Sequence, residues 1–463
     1  MREFEKKKVL VVGLGKSGVA AARFCAQRGA LVRAVDAKPE GEMRRQIESL
    51  SGLPVEFSFG GGEAGRFAGE ELVVVSPGVS SESSLVKAAK EGGAEVVGEM
   101  ELAVREIKKP IVAVTGTNGK TTTTTLIGHL LRGAGLRACV AGNIGTPLLD
   151  ALDEAGASDV VVAEVSSFQI ETSPSLAPEI SVLLNVTPDH LDRHRSFELY
   201  AECKALLVKR TIGGGFGIYN AADDVAAASV AGAPCELVPF DATGRALSRQ
   251  EGRKSAWFGG GDLVVDVRGS APSRYPLCNV KLEGMHNREN MLAALAACEL
   301  CGAEPAKLTA ALESFAGLPH RMELVGESRG VRYYDDSKGT NIGATIRAIE
   351  AFAEPIVLIA GGLSKGVNFA PLAGKARGRV KKAILIGEAA GDLEAALDGS
   401  VPSARASSME DAVKQAGESA DPGDIVLLSP ACASFDMFRD YAHRGEAFVS
   451  AVKGMEKGGG GDR

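Results

Sequence analysis

Seven residues, Thr115-Gly-Thr-Asn-Gly-Lys-Thr121, have the make-up of a grip for polyphosphate. A short apolar run, Ile111 to Val114, precedes them. A stretch with helical periodicity follows to Leu131 and is stopped by Gly133 and Gly135. In such a strand–loop–helix, backbone N–H groups turn inward and the helix N-terminus adds partial positive charge, so the loop attracts anions. Lys120 can then reach the outer phosphates, and the Thr121 hydroxyl can ligate Mg2+. The longer form of this motif has a glycine six residues before the lysine. That position is Val114 here, so the match is to a shorter variant built on Gly116 and Gly119. A plain glycine turn with a surface lysine is the competing reading, and the order strand, loop, helix speaks against it.

Other polar residues stand where apolar runs end. Glu164 closes Val160-Val-Val-Ala-Glu164, and an unpaired carboxylate inside a buried strand is very costly. It is expected at the strand's exposed end or on a cation, as the metal partner of Thr121. Asn185-Val-Thr-Pro-Asp-His-Leu-Asp192 suits a metal or nucleotide site, though alone it reads equally as a polar turn. Lys204, on a helix further on, reads by itself as a solvated lysine. Near the N-terminus, Gly13-Leu-Gly-Lys-Ser-Gly18 with Asp36 fits a dinucleotide or any nucleotide diphosphate held on a helix N-terminus. Three more loops follow apolar runs in the last third: Asp335 to Asn341, Gly361 to Gly366, and Ser429 to Ser434. Lys338, Thr340 and the cationic second loop could hold an anionic group at one sheet edge.

These loops need strands and helices to carry them. Val9–Val12, Leu31–Val35 and Leu72–Val75 read as buried parallel strands, with a helix over 19–28 between the first two. A second series of strands is expected at 111–114, 160–165 and 180–184, with a hairpin over 255–267 and an Ala/Leu helix over 287–300. A third has strands at 331–334, 356–359, 383–386 and 425–428. Strands alternating with helices make an α/β protein. With 463 residues, several domains are expected. The divisions fall at 1–102, 103–318 and 319–463.

Bulk properties narrow the partners. A net charge of −7 argues against a general nucleic-acid binder, while leaving room for a local cationic pocket. No segment reaches the roughly 18 apolar residues of a membrane span. The charged residues 1–8 lack the apolar stretch of a secretion signal. Eight scattered Cys fit a reduced, cytoplasmic chain, and Cys298 and Cys301 read as a packed helix face, not a metal site. A cytoplasmic monomer with small-molecule partners, no nucleic acid and no membrane is expected.

Taken in order, the blocks resemble the bacterial Mur ligases over nearly the whole chain. They are Thr115 to Thr121, Glu164-Val-Ser-Ser-Phe-Gln169, Asn185 to Arg193, His320-Arg321, Asp336-Ser-Lys-Gly-Thr-Asn341 and Leu428-Ser-Pro-Ala-Cys-Ala-Ser434. The first and third are shared with folylpolyglutamate synthase, and the last two point to the D-glutamate-adding branch. The resemblance implies that 1–102 and 319–463 are Rossmann-like domains and 103–318 a P-loop ATPase-like α/β domain. It implies ATP-dependent amide ligation through an acyl phosphate, in peptidoglycan precursor synthesis, with UDP-N-acetylmuramoyl-L-alanine, D-glutamate and ATP as substrates. It implies ATP contacts at Gly116, Thr117, Asn118, Gly119, Lys120, Thr121, Thr122, Arg321 and Asp336. It implies two Mg2+ ions, one on Thr121 and Glu164 and one served by His190 and a carbamylated Lys204. Lys120, His190 and Lys204 are then the catalytic residues. The UDP-sugar falls to Gly15, Lys16, Ser17, Asp36, Ser76, Pro77, Gly78 and Asn143. D-glutamate falls to Lys338, Thr340, Lys365, Ser434 and Tyr441.

The sequence departs from familiar relatives at Ala37-Lys38, beside the expected uracil contacts, and at Tyr441, where they carry Phe. Residues 221–276 match poorly and carry no site residue. The remaining alternatives are another Mur-type or folylpolyglutamate-type ligase, an NAD(P)-dependent oxidoreductase built on Gly13 to Gly18, and an ATP-gated binding protein.

Overall fold

The computed structural model describes residues 4–61, 67–80, 82–245, 247, 253–269, 271–364, 366 and 368–458. Its strands form three sheets in two compact units. One unit comprises residues 1–280 and 289–314, and the other comprises 281–288 and 315–463.

The first sheet is wholly parallel. Its spatial order is Val55–Phe59, Leu31–Asp36, Lys8–Val12, Leu72–Val75, Glu95–Gly98. The chain builds outward from Lys8–Val12 on one side, then crosses to the other at Leu72. That reversal opens a crevice at the carboxyl ends of these two strands, where ligands bind in open α/β sheets. The helix after the first strand runs over Lys16–Gln27 with Gly15 as its N-cap, three residues earlier than periodicity predicts. Gly18 hides that start, because glycine is a poor helix former. It is needed for close packing: a Cβ there would lie 1.8 Å from the Gly13 carbonyl oxygen. Lys16 and Ser17 therefore stand in the first helical turn.

The second sheet has nine strands, with Ile111–Thr115 between Val160–Glu164 and Ile180–Leu183. These three are buried along their whole length, as parallel strands covered on both faces must be. The poorly matching stretch extends this sheet through Glu236–Asp241, the predicted hairpin Ser255–Gly259 with Asp262–Asp266, and Ser273–Pro276. One apolar cluster runs from Val9 and Val11 of the first sheet through Met100 and Leu148 to Ala113 and Val161 of the second. That shared core makes the two sheets one compact unit. Cys298 lies buried in the helix Met285–Leu300 and both Cys298 and Cys301 are free thiols, as a packed face requires.

The third sheet runs Glu323–Ser328, Val331–Asp335, Ile425–Leu428, Ile356–Gly361, Val380–Ile386, Ser403–Arg405. All neighbours are parallel except the first pair. Val331–Asp335, Ile425–Leu428 and Ile356–Gly361 are adjacent, so the three polar loops predicted to share an edge do so. Among the described residues, no helix is long and apolar enough to cross a membrane.

Candidate active site

The glycine loop after Ile111–Thr115 is held from two sides. Asn185, beyond the neighbouring strand, accepts the Asn118 N–H on Oδ1 at 2.9 Å and returns Nδ2 to the Asn118 carbonyl at 3.0 Å. Thr117 Oγ1 donates to the Thr187 carbonyl at 3.0 Å and lies 3.1 Å from the Tyr200 hydroxyl. Gly119 has φ of 86° and a Cβ there would come within 2.4 Å of Asn290 Oδ1. Only glycine tolerates both that backbone and that neighbour. The helix Lys120–Gly133 starts at the next residue. Thr121 is half-buried and Thr122 buried in its first turn.

Two lysines converge on this loop. Lys120 Nζ donates to the Gly116 and Thr117 carbonyls, each at 2.8 Å. Lys204 Nζ donates to the same Gly116 carbonyl at 2.8 Å. Contrary to the solvated reading, Lys204 is 1% exposed, in the helix Phe197–Lys209. Burial, and next the Lys120 charge, pull its ammonium well below the ordinary lysine range, because both disfavour a cation. Glu164 stands at its strand's end as expected, but that end is buried. Asn143 Nδ2 donates to Glu164 Oε1 at 2.7 Å, while Oε2 is buried without a hydrogen-bond partner. A buried acceptor left without a partner costs about 1–3 kcal/mol, and more when it is charged; a divalent cation would offset that cost. With its hard oxygen donor set, the residues fit Mg2+.

His190 lies in the turn before the one-turn helix Leu191–His194, with φ of 52°. Its ring packs edge-on against Phe168 at 5.1 Å, and His194 stacks on that ring at 5.4 Å. His194 Nε2 lies 2.9 Å from Ser167 Oγ. Burial lowers the pKa of His194, favouring its neutral form.

In the crevice of the first sheet, Asp36 accepts the Leu14 N–H at 2.7 Å and the Lys38 N–H at 3.0 Å. Its carboxylate thus shapes the glycine loop. Ser76 Oγ donates to the Gly13 carbonyl at 2.7 Å, bringing the Ser76-Pro77-Gly78 turn against Gly13 to Gly18. Gly15 is open on its Cβ side. Lys16 Nζ reaches the Gly145 carbonyl at 3.3 Å, two residues from Asn143, linking this crevice to the second sheet.

In the second compact unit, burial pushes the Asp336 carboxyl up to about 7, although Ser429 Oγ donates to it at 2.8 Å and the Arg321 charge pulls the other way. A cavity of about 520 Å3 is lined by Arg321, Asn287, Tyr334 and Phe352, among others. Lys338 Nζ sits 3.8 Å from the Tyr441 ring centroid, a cation–π contact. Thr340 follows Lys338 in a tight turn, and Ser434 is buried. Lys365 lies outside the described residues. Arg444 is completely buried and ties the three loops together. It donates to Ser337 Oγ and to the carbonyls of Ser337, Gly361, Cys432 and Ala433.

The chain matches three family models end to end: the Mur ligase MurD-like N-terminal domain over 7–98, the Mur ligase middle domain over 114–298, and the Mur ligase glutamate ligase domain over 320–432. It is 44% identical over 456 residues to the UDP-N-acetylmuramoylalanine–D-glutamate ligase of Geotalea daltonii, covering 98% of this chain and 99% of that one. The chain belongs to the Mur ligase family. A protein of the same name from Pelotomaculum thermopropionicum is 43% identical over 460 residues, 99% of this chain and 100% of that one. The MurF ligase of Thermotoga maritima, solved in complex with ADP, shares the Mur ligase fold at 16% identity with a TM-score of 0.59, covering 99% of this chain and 100% of that one. Mur ligases use ATP and Mg2+.

Of the predicted residues of this Mur ligase, the first compact unit brings together Gly116 to Thr122 with Lys204, and Asn143 with Glu164. The second brings Asp336 to Ser429 and Lys338 to Tyr441. Sequence reading missed Tyr200, His194, Asn290 and Arg444. Tyr200 had a signal, since it precedes Lys204 by four residues and shares its helix face. A single Arg in the last helix gives none.

Proposed function

We propose that this Mur ligase joins D-glutamate to UDP-N-acetylmuramoyl-L-alanine with hydrolysis of ATP to ADP and phosphate, in peptidoglycan precursor synthesis. Residues 1–102 would take the UDP-sugar, 103–318 ATP, and 319–463 the amino acid. The observation that carries the reading is the convergence of Lys120 and Lys204 on the Gly116 carbonyl, near a Glu164 carboxylate with one unpartnered oxygen. A carboxylate and ATP repel, so a site that joins them must gather cations at the phosphates.

The carboxylate of the L-alanyl group attacks the γ-phosphorus of ATP, and ADP leaves. The D-glutamate amine then attacks the acyl carbon and loses a proton. The tetrahedral intermediate expels phosphate to leave the amide. Gly116, Thr117, Asn118, Gly119, Thr121 and Thr122 cradle the phosphates, and Lys120 neutralises charge on the transferring phosphoryl group. Thr121 and Glu164 would hold one Mg2+, and His190 with Lys204 a second; Mg2+ supplies charge neutralisation and orientation of phosphate oxygens. A neutral amine is the form that adds CO2, and burial shifts Lys204 towards that form. The product carbamate, formed with loss of one proton, is an anion suited to Lys120 and a metal. Arg321 and Asp336 are assigned to the nucleotide by the family resemblance. Gly15, Lys16, Ser17, Asp36, Ser76, Pro77, Gly78 and Asn143 take the UDP-sugar. Lys338, Lys365, Thr340, Ser434 and Tyr441 take D-glutamate, whose two carboxylates suit two lysines. Because ATP and nucleotide sugars are cytoplasmic metabolites, the cytoplasm is its proposed compartment.

Mass spectrometry of the product from UDP-N-acetylmuramoyl-L-alanine, ATP, Mg2+ and an equimolar amino-acid mixture tests this. One D-glutamyl addition with one ADP and one phosphate is expected. Preferential addition of another amino acid would replace this reading with that of a different Mur ligase.

A further inference from the structure

One guanidinium joins two loops that hold different parts of the proposed site. Arg193 follows His190 in the one-turn helix Leu191–His194, and its side chain is 15% exposed. Nη1 donates to Ser80 Oγ at 3.3 Å, and Nη2 to the Val79 carbonyl at 3.2 Å. Both acceptors lie just past Ser76-Pro77-Gly78. Val79 packs on the glycine loop: a Cβ on Gly13 would lie 2.9 Å from Val79 Cγ2. On its other side Arg193 faces Glu171 Oε2 at 3.6 Å and the Phe168 ring at 5.4 Å. His190 packs on that same ring, and its carbonyl accepts the Arg193 N–H at 3.0 Å.

The backbone at His190 is in the left-handed region, which a non-glycine residue keeps only where its surroundings hold it. Arg193 supplies such a hold. Its planar fork grips two acceptors at once, which a lysine ammonium on a flexible stem cannot reproduce. We propose that Arg193 is a positioning residue that couples the acceptor-nucleotide loop to the turn carrying His190, so that acceptor binding aligns the metal-binding turn. It touches no reacting atom. The inference rests on the ligase reading and deepens it: the UDP-sugar loop and the phosphoryl-transfer loop move as one body, fixing where the acceptor carboxylate meets the phosphate.

The test compares Arg193→Ala and Arg193→Lys with Arg195→Ala. Arg195 pairs with Glu82 at 2.6 Å across the same two segments but is 69% exposed, so it controls for loss of a charge there. Misplacement of reacting groups by about 1 Å costs up to about 10²-fold. Both Arg193 variants should therefore lose at least about tenfold in kcat and raise KM for UDP-N-acetylmuramoyl-L-alanine, with KM for D-glutamate unmoved, while Arg195→Ala stays near wild type. Binding of Mn2+, followed by electron paramagnetic resonance in the presence of ADP, should tighten on adding the acceptor in the wild type and not in Arg193→Ala or Arg193→Lys. Wild-type kinetics, or retention of that tightening, would overturn the proposal. So would an equal rise in every KM, which marks general loosening. If Arg193→Ala does not fold, Arg193→Lys decides by the same readouts. A wild-type enzyme that forms no D-glutamyl product removes the ligase reading itself, which is a different failure from an active wild type with indifferent Arg193 variants.

Discussion

Two lysines sharing one carbonyl oxygen is an arrangement that ordinary electrostatics resists. Lys120 and Lys204 each donate to Gly116 at 2.8 Å, and Lys204 is desolvated as well. The arrangement makes sense if one amine is neutral and each side chain has its own task. Lys120→Ala should reduce ligation by at least about 10²-fold, the usual cost of removing one donor to a transition-state charge; steady-state phosphate release measures it, and near-wild-type turnover would remove the loop from the mechanism. Lys204→Ala should be severely impaired and partly rescued by a small carboxylate such as acetate, which can stand in for a carbamate. Full activity without added acetate would end the carbamate assignment.

At the scale of elements, the helix Glu99–Glu106 fastens the first sheet to the second. Glu99 Oε1 accepts the Leu149 N–H at 2.7 Å, and Glu101 Oε2 accepts the Ser175 N–H at 2.9 Å. Glu99 is buried, its Oε2 has no partner, and burial raises its carboxyl to about 7. A carboxyl whose pKa is higher folded than unfolded adds stability below its unfolded value, and that contribution is lost as pH rises through the folded value. The window here runs from about 4.5 to about 7. Glu99→Gln keeps the acceptor for Leu149 and cannot ionise. Its melting temperature should exceed that of the wild type at pH 8 and converge with it towards pH 4.5; parallel curves across that range would contradict the assignment.

At the scale of the whole molecule, the two compact units hold different halves of the proposed chemistry. The acceptor and phosphoryl-transfer residues belong to the first, and the residues assigned to D-glutamate belong to the second. Lys338→Ala should therefore raise KM for D-glutamate by about tenfold or more, as loss of a charge-assisted contact does, yet still form acyl phosphate. Hydroxylamine trapping, read as hydroxamate of UDP-N-acetylmuramoyl-L-alanine, measures the first half directly. Absence of hydroxamate in Lys338→Ala alone would show that the halves are not separable.

Local order was open to sequence reading. The glycine loop at Thr115 to Thr121, the strands that carry it and the three loops at one edge of the third sheet all declared themselves as elements, because apolar runs of strand length and glycines before a helix are consequences of neighbouring residues. One family block also marked Glu164, and the resemblance singled out Lys204. What those side chains experience was decided by tertiary structure. Lys204 read alone is a surface lysine, and it is among the most deeply buried residues of the protein. The sequence places Glu164 at an exposed strand end or on a cation, and it stands at a buried strand end with one oxygen unpartnered. Arg444 carried no signal, and the block ending at Arg193 gave no hint of its contacts, since their partners lie on loops far away in the chain. The physical reason is common to all four. Burial and charge pairing are sums over every element packed around a group, and a linear sequence states only the elements.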